Sequence, residues 1–288
     1  MSRKVWAGFA VLCLLQGAGL LLDQFMPPLL PGLMRLGVHD GLLAVAFSLV
    51  SRKSTVPVWT LAGLGIALFG VPQVLFAAAG GHVDGFTELL VTLLGPVIVV
   101  VVSAQRREAF GPEDSPLRLL APAVVGIGGA VLVLPFYLPA SRVGQLWLAV
   151  MVLAAVAAGV AAVRIHTLLQ GVDVLRAAAL VFGAVSVVAL GFCWVDGRVT
   201  LVWDAGAAVF ELLRLVVVEG PILLLTVWLL REMKPERFAA RPLLVVLVMI
   251  VESFIVEHPT VGWTMVVGVL LIGGGAWGLL RVDSRKVL

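Results

Sequence analysis

Ten apolar runs follow one another with little between them, each close to the length that crosses the hydrocarbon core of a bilayer. Bounded by charge, Pro or Gly, they are Val5–Leu22, Pro28–Val50, Val56–Ala79, Phe86–Val102 and Leu119–Leu138, then Val143–Val163, Val174–Trp194, Ala205–Leu230, Leu243–Val256 and Val261–Leu280. Lipid offers no hydrogen-bond partner to the backbone, so spans of this length must satisfy their own N–H and C=O groups as helices. The expected fold class is an all-α integral membrane protein with about ten transmembrane helices. Composition agrees: 61% of residues are hydrophobic and 13% charged, against roughly 25% charged in soluble domains. A chain so apolar would not stay dispersed in water.

Basic residues give the topology. Sixteen of the twenty Lys and Arg fall at one set of span ends, from Arg3 and Lys4 to Arg285 and Lys286. Arg35, Arg142 and Arg198 lie on the other side, and Arg214 lies inside the eighth span. Loops on the cytoplasmic side retain positive charge, so both termini are expected in the cytoplasm of a multi-pass protein of the cytoplasmic (inner) membrane. The alternation holds for ten spans and fails for eight or twelve. Clusters distributed in this way are topological signals and not a nucleic-acid surface. Tryptophans fall near span ends, as an interfacial belt would. Arg3-Lys4 before an apolar run resembles a signal peptide, but no clear small-residue cleavage site follows, so the run reads as the first span. Cys13 and Cys193 sit in apolar runs and read as packing residues, with no metal-ligand spacing.

Division near Pro139 gives two five-span halves, 1–140 and 141–288. An odd number of spans per half forces the halves into opposite orientations, the arrangement of inverted repeats in secondary transporters. From Pro96 it is 25 residues to Ala121 and 32 to Gly128; from Pro242 it is 26 to Gly268 and 33 to Gly275. A competing likeness pairs the fourth span with the eighth, through Glu88 before Gly95-Pro96 and Glu211 before Gly220-Pro221.

Ionisable residues within spans are costly, by roughly 2.5–3.5 kcal/mol each on insertion scales, and are therefore functional candidates. The second span holds Arg35, His39 and Asp40, with Arg35 and His39 one turn apart on a face. The eighth holds Glu211, Arg214 and Glu219, while Glu88 and Glu252 lie nearer the outer ends of theirs. On one reading they line a cavity in which Arg35 or Arg214 holds an anionic group and His39, Asp40 or Glu219 exchanges protons. On the other, Glu211 and Arg214 neutralise each other while Arg35 and Glu88 snorkel to the interface. Gly220-Pro221 and Gly95-Pro96 are candidate helix breaks, because proline removes a backbone donor. The glycine groups Gly126-Ile127-Gly128-Gly129 and Gly273-Gly274-Gly275 read as close helix contacts. No zinc-protease, nucleophile-elbow, phosphate-loop or aspartate-rich motif is present; no catalytic residue, metal or cofactor is expected.

The run from Pro242 to Leu280, with Glu252 or Glu257 followed by Gly268 and Gly275, resembles the drug/metabolite transporter superfamily in its ten-helix EamA-like branch. Its first-half counterpart runs from Glu88 through Pro96 and Glu108 to Gly128, and Arg35 after Met26-Pro27-Pro28 matches an arginine of that family's second helix. The first span lacks the family's Trp-Gly pair, and Ala121 stands where a glycine is expected. The resemblance implies an exporter of a small organic metabolite or drug working by alternating access. Its expected partners are the bilayer, a small-molecule solute and protons, with a homodimer as a further option. A scaffold or sensor, a lipid flippase and an integral membrane enzyme are the alternatives.

Overall fold

The structure, a computed structural model, describes residues 2–25, 30, 32–51, 57–79, 82–105, 117–134, 136–197, 205–257 and 261–281. Each apolar run forms a helix. In chain order these are α1 (Arg3–Phe25), α2 (Gly32–Val50), α3 (Val58–Ala79), α4 (Gly85–Gln105), α5 (Leu117–Val133), α6 (Arg142–Leu169), α7 (Val174–Asp196), α8 (205–232), α9 (Pro235–Val256) and α10 (Trp263–Arg281). Eight of them, α2–α4 and α6–α10, are long and apolar enough to cross a membrane. Large apolar side chains such as Leu49, Leu146, Val187 and Leu270 are mostly exposed on the helix surfaces. That is the distribution of a protein whose solvent is lipid. Met26-Pro27-Pro28, Glu108, Trp203 and the Glu257 side chain, which bear on the sequence reading, lie outside what is described.

Boundaries differ from the apolar runs where local chemistry overrides hydropathy. α5 stops at Val133 and not at Leu138, because Pro135 lacks an N–H and disfavours helical backbone in the residue before it. α6 continues to Leu169 past Val163, since the chain meets no breaker until Gly171, whose φ of 81° ends the helical course. α7 begins on Asp173, whose carboxylate accepts from the Arg176 N–H at 3.3 Å, and ends at Gly197 in the left-handed region.

The helices form two compact units, residues 1–78 with 164–232 and residues 79–163 with 233–288. Each unit draws helices from both halves of the chain. In the first, α2 packs along α7. A Cβ on Gly37 would meet Leu190 and Ala189, one on Gly41 would meet Ser186, and one on Gly183 would meet Ala44. The numbers rise on one helix as they fall on the other, so the pair is antiparallel. The Ser186 hydroxyl donates to the Gly37 carbonyl at 2.6 Å and fixes the register. α3 lies against α7, with the Phe69 and Phe182 rings 5.4 Å apart. α1 lies against α8, where Trp228 covers Gly8 and Val218 faces Gly19; Trp228 is thus also a packing residue.

In the second unit α5 and α10 cross so closely that only glycine fits. A Cβ on Gly129 would stand 2.6 Å from the Gly268 carbonyl oxygen, and one on Gly275 would stand 2.6 Å from Gly126 Cα. This pair is antiparallel as well. Gly126, Gly129, Gly268, Gly275 and Gly278, the last of which faces Pro122, stand at the crossing; Gly128 and Gly274 face open space. Around it Leu243, Val246, Ile272, Ala276 and Leu279 form the core with Leu93 and Val100 of α4.

Two helices contain a π turn. In α3 it spans Ile66–Gly70 and the Val71 N–H bonds to the Ile66 carbonyl; in α8 it spans Leu215–Glu219 and the Gly220 N–H bonds to the Leu215 carbonyl. Both turns are followed two residues later by proline, Pro72 and Pro221. A proline ring crowds the carbonyl four residues back and offers it no donor, and a widened i→i−5 turn relieves the conflict. Gly95-Pro96 is accommodated differently: α4 is interrupted by a turn at Leu93-Leu94 between the helical stretches Gly85–Thr92 and Gly95–Gln105.

Candidate functional site: a buried ionic network

Six of the eight ionisable candidates lie in the first unit, on α2 and α8. Glu219 is at the centre. Its Oε2 accepts from His39 Nδ1 at 2.5 Å and its Oε1 accepts from Arg214 Nε at 3.1 Å. The other imidazole nitrogen, His39 Nε2, stands 3.5 Å from Glu211 Oε2. Arg214 Nη2 donates to the Gly19 carbonyl of α1 at 3.4 Å. Asp40 is adjacent in sequence to His39, and both its charge and that of Arg35 act on Glu219. His39, Asp40, Glu211 and Arg214 are only 4%, 3%, 8% and 8% exposed.

The π turn builds this geometry. Glu211 and Glu219 are eight positions apart, which in an uninterrupted α-helix would set them about 80° apart around the axis. A π turn holds one residue more than an α turn. Glu219 therefore takes the angular place of the seventh residue after Glu211, about 20° away. Both carboxylates then address one imidazole. Arg214 and Glu219, five apart, would diverge by about 140° on a regular helix, yet they pair across the widened turn. Here the Val216-Val217-Val218 run and the proline beyond it place a salt bridge that helical spacing alone forbids.

Glu88 and Glu252 belong to the other unit. Glu88 lies in the first turn of α4, whose N-cap is Asp84, and Glu252 lies near the end of α9; both are half-buried. Pro96 is buried beside the α4 interruption. Three contributors escaped the sequence reading: the Gly19 carbonyl, Ser186 and the π turn itself. Pro72 carried a signal for the last of these, since it and Pro221 stand in equivalent places within the third and eighth apolar runs. Among the described residues no cluster of His, Cys, Asp and Glu has the arrangement of a metal site.

The C-terminal end of α8 is held separately. His166 Nδ1 lies 2.6 Å from the Leu230 carbonyl, and Gln170 Nε2 donates to the Arg231 carbonyl at 2.8 Å. These side chains from the end of α6 satisfy carbonyls that the last helical turn leaves open.

Fold and site together describe an all-α protein that passes a membrane several times and carries a buried ionic network inside one helical unit. Among solved structures, a chain described only as "Crystal structure of protein" aligns over 98% of this chain and 99% of its own length, with a TM-score of 0.69 at 20% identity. The fold is therefore shared with a solved protein of closely similar length. No protein-family model matches the chain, and no curated sequence does.

Proposed function

We propose that the chain is a secondary carrier that moves a small organic solute across the cytoplasmic membrane by alternating access, outward, with both termini in the cytoplasm. The observation that carries this reading is the His39–Glu219–Arg214 network, which joins α2 to α8 where α8 is widened by a π turn. Burying His39, Asp40, Glu211 and Arg214 in one helical unit, with Arg35 and Glu219 half-buried beside them, is expensive, and π turns concentrate at functional sites. A helix interrupted beside its charged residues is also what solute sites in carriers are made of.

Ten transmembrane helices in two inverted five-helix repeats form part of the proposal. Three features support it. Helices five apart in order, α2 with α7 and α5 with α10, pair antiparallel, as inverted copies must. The π turns of α3 and α8, again five apart, are each followed by proline at the same distance. Gly95-Pro96, the rival counterpart of Gly220-Pro221, sits at an interruption of different geometry. Membership of the drug/metabolite transporter superfamily, in its ten-helix branch, is proposed on these grounds together with the sequence resemblance, which also supplies the outward direction.

The test is thermal unfolding of purified protein in detergent with amino acids, nucleosides, sugars, organic anions and organic cations, repeated with Glu219→Gln. A carrier gives a selective upward shift that the variant loses while remaining folded. Absence of any shift from folded protein, with Glu219→Gln altering only assembly or stability, would sink the reading in favour of a scaffold.

A further inference from the structure

Packing in the second unit gathers positive charge at one end of it. Contacts between α5 and α10 step along their crossing from Gly129 with Gly268, through Gly126 with Gly275, to Pro122 with Gly278. One further turn, four residues back on α5 and three forward on α10, sets Arg118 beside Arg281. Both are exposed, and the Arg281 guanidinium lies over the Trp277 ring at 4.7 Å. α9 starts at the same end, because its Ala240 and Leu243 share a core with Val100 of α4, Leu120 of α5 and Leu279 of α10. It adds Lys234, Arg237 and Arg241. Among the described residues of this unit, the one carboxyl at that end is Glu236, which is buried. Glu232, at the end of α8 in the first unit, is paired with Arg231 at 2.9 Å. The adjoining sequence leaves the balance unchanged: Arg106, Arg107, Arg285 and Lys286 are matched in number by Glu108, Glu113, Asp114 and Asp283.

Topology alone explains an excess of basic residues at a helix end. It does not require two arginines at neighbouring positions of the tightest helix crossing, where like charges repel and an anion between them is favoured. Arginine forks also match the oxygens of a phosphate. Next to them lies an apolar space. A groove of about 270 Å³ separates the end of α4 from the start of α5, lined by Val100, Val101, Ala104 and Gln105 on one side and Leu120 on the other. Val101 is 41% exposed, so the groove opens on the surface that meets lipid, and the exposed Gln105 places an amide at its rim. Side chains lean toward the N-terminus of their helix, which carries Arg118, in the first turn of α5, past the helix end and toward the mouth of the groove. A soluble anion would use the arginines and leave the groove unfilled. A phospholipid uses both.

We infer that this end of the second unit holds one acidic phospholipid, its phosphate on Arg118 and Arg281 and an acyl chain in the groove between α4 and α5. Basic pockets between membrane helices bind acidic headgroups in this manner. The lipid screens the two arginines from each other and so stabilises the crossing of α5 with α10. This needs only the membrane setting and stands apart from the carrier reading.

The test uses the full chain in a neutral detergent, with native mass spectrometry to count bound lipid and thermal unfolding to read its effect. Dioleoyl phosphatidylglycerol is compared with dioleoyl phosphatidylcholine, which has the same chains, and with glycerol 3-phosphate, which has the acidic group without chains. The expected result is retention of one phosphatidylglycerol per chain and a rise of several degrees in unfolding temperature, with no shift from the other two. Arg118→Gln with Arg281→Gln should lose the rise, and Val101→Trp, which fills the groove at unchanged charge, should lose the retained lipid. Arg3→Gln with Lys4→Gln, an equal loss of charge in the first unit, should keep both. Equal shifts from phosphatidylcholine, a shift from glycerol 3-phosphate alone, or equal losses in the Arg3 and Lys4 variant would each overturn the inference. Parent-like lipid retention by Val101→Trp overturns it as well, and that variant decides the matter should the double arginine variant fail to fold. Solute-dependent stabilisation is read in a separate measurement, so none of these outcomes touches the carrier reading.

Discussion

Replacing Gly275 by alanine is expected to destabilise the second unit, whereas the same change at Gly274, one residue earlier on α10, is not. A Cβ at Gly275 would lie 2.6 Å from each of three backbone atoms of α5, namely Gly126 Cα, Gly126 N and the Pro122 carbonyl oxygen. Backbone cannot step aside as a flexible side chain can, so the two helices must separate by several tenths of an ångström along the crossing. Overpacking of this kind costs about 1–3 kcal/mol. Gly274 has nothing within 4 Å of the added carbon. In both variants alanine brings the same gain in helix propensity, about 1 kcal/mol relative to glycine, so the difference between them isolates the packing term. Thermal unfolding in detergent should place Gly275→Ala below Gly274→Ala by several degrees, with Gly274→Ala at or above the parent protein. Equal unfolding temperatures for the two variants would refute the close crossing of α5 and α10.

Two further outcomes follow from the ionic network. Arg214→Ala leaves the half-buried Glu219 with His39 but without its guanidinium and should cost about 1.5–3 kcal/mol; Arg214→Ala with Glu219→Ala should cost less than the two single changes summed, as a denaturation cycle will register. An alanine inserted between Val216 and Val217 turns Glu219 about 100° off the face it shares with Glu211. It should abolish Glu219-dependent solute stabilisation, whereas an alanine added directly after Gly197, where α7 has ended, should not.

Hydropathy made the helices legible because each must bury or expose about twenty residues to a uniform solvent, and Lys and Arg marked their ends. Where backbone chemistry decides, hydropathy is silent: α5 ends at Val133 although the apolar run continues past it to Leu138. The glycines of α5 and α10 were readable as close contacts, but which of them face the partner depends on rotation about the helix axis. That separates Gly129 from its neighbour Gly128. Asp40, His39, Glu211, Arg214 and Glu219 stood out as charges in apolar runs. Their convergence did not, because a regular helix would have pointed Arg214 away from Glu219. A single extra residue in one turn reverses that, and only the pair Pro72 and Pro221 hinted at it.

The interleaving of the two units sets an order on synthesis. The first unit has all its helices once the ribosome has passed Glu232, but the second waits for α10, which ends at Arg281. Between completion of α5 at Val133 and arrival of α10, 148 residues must be made, which takes about 7–30 s at 5–20 residues per second. Throughout that interval Gly129 lacks the α10 backbone against which it packs, so α5 is made as a span without its partner.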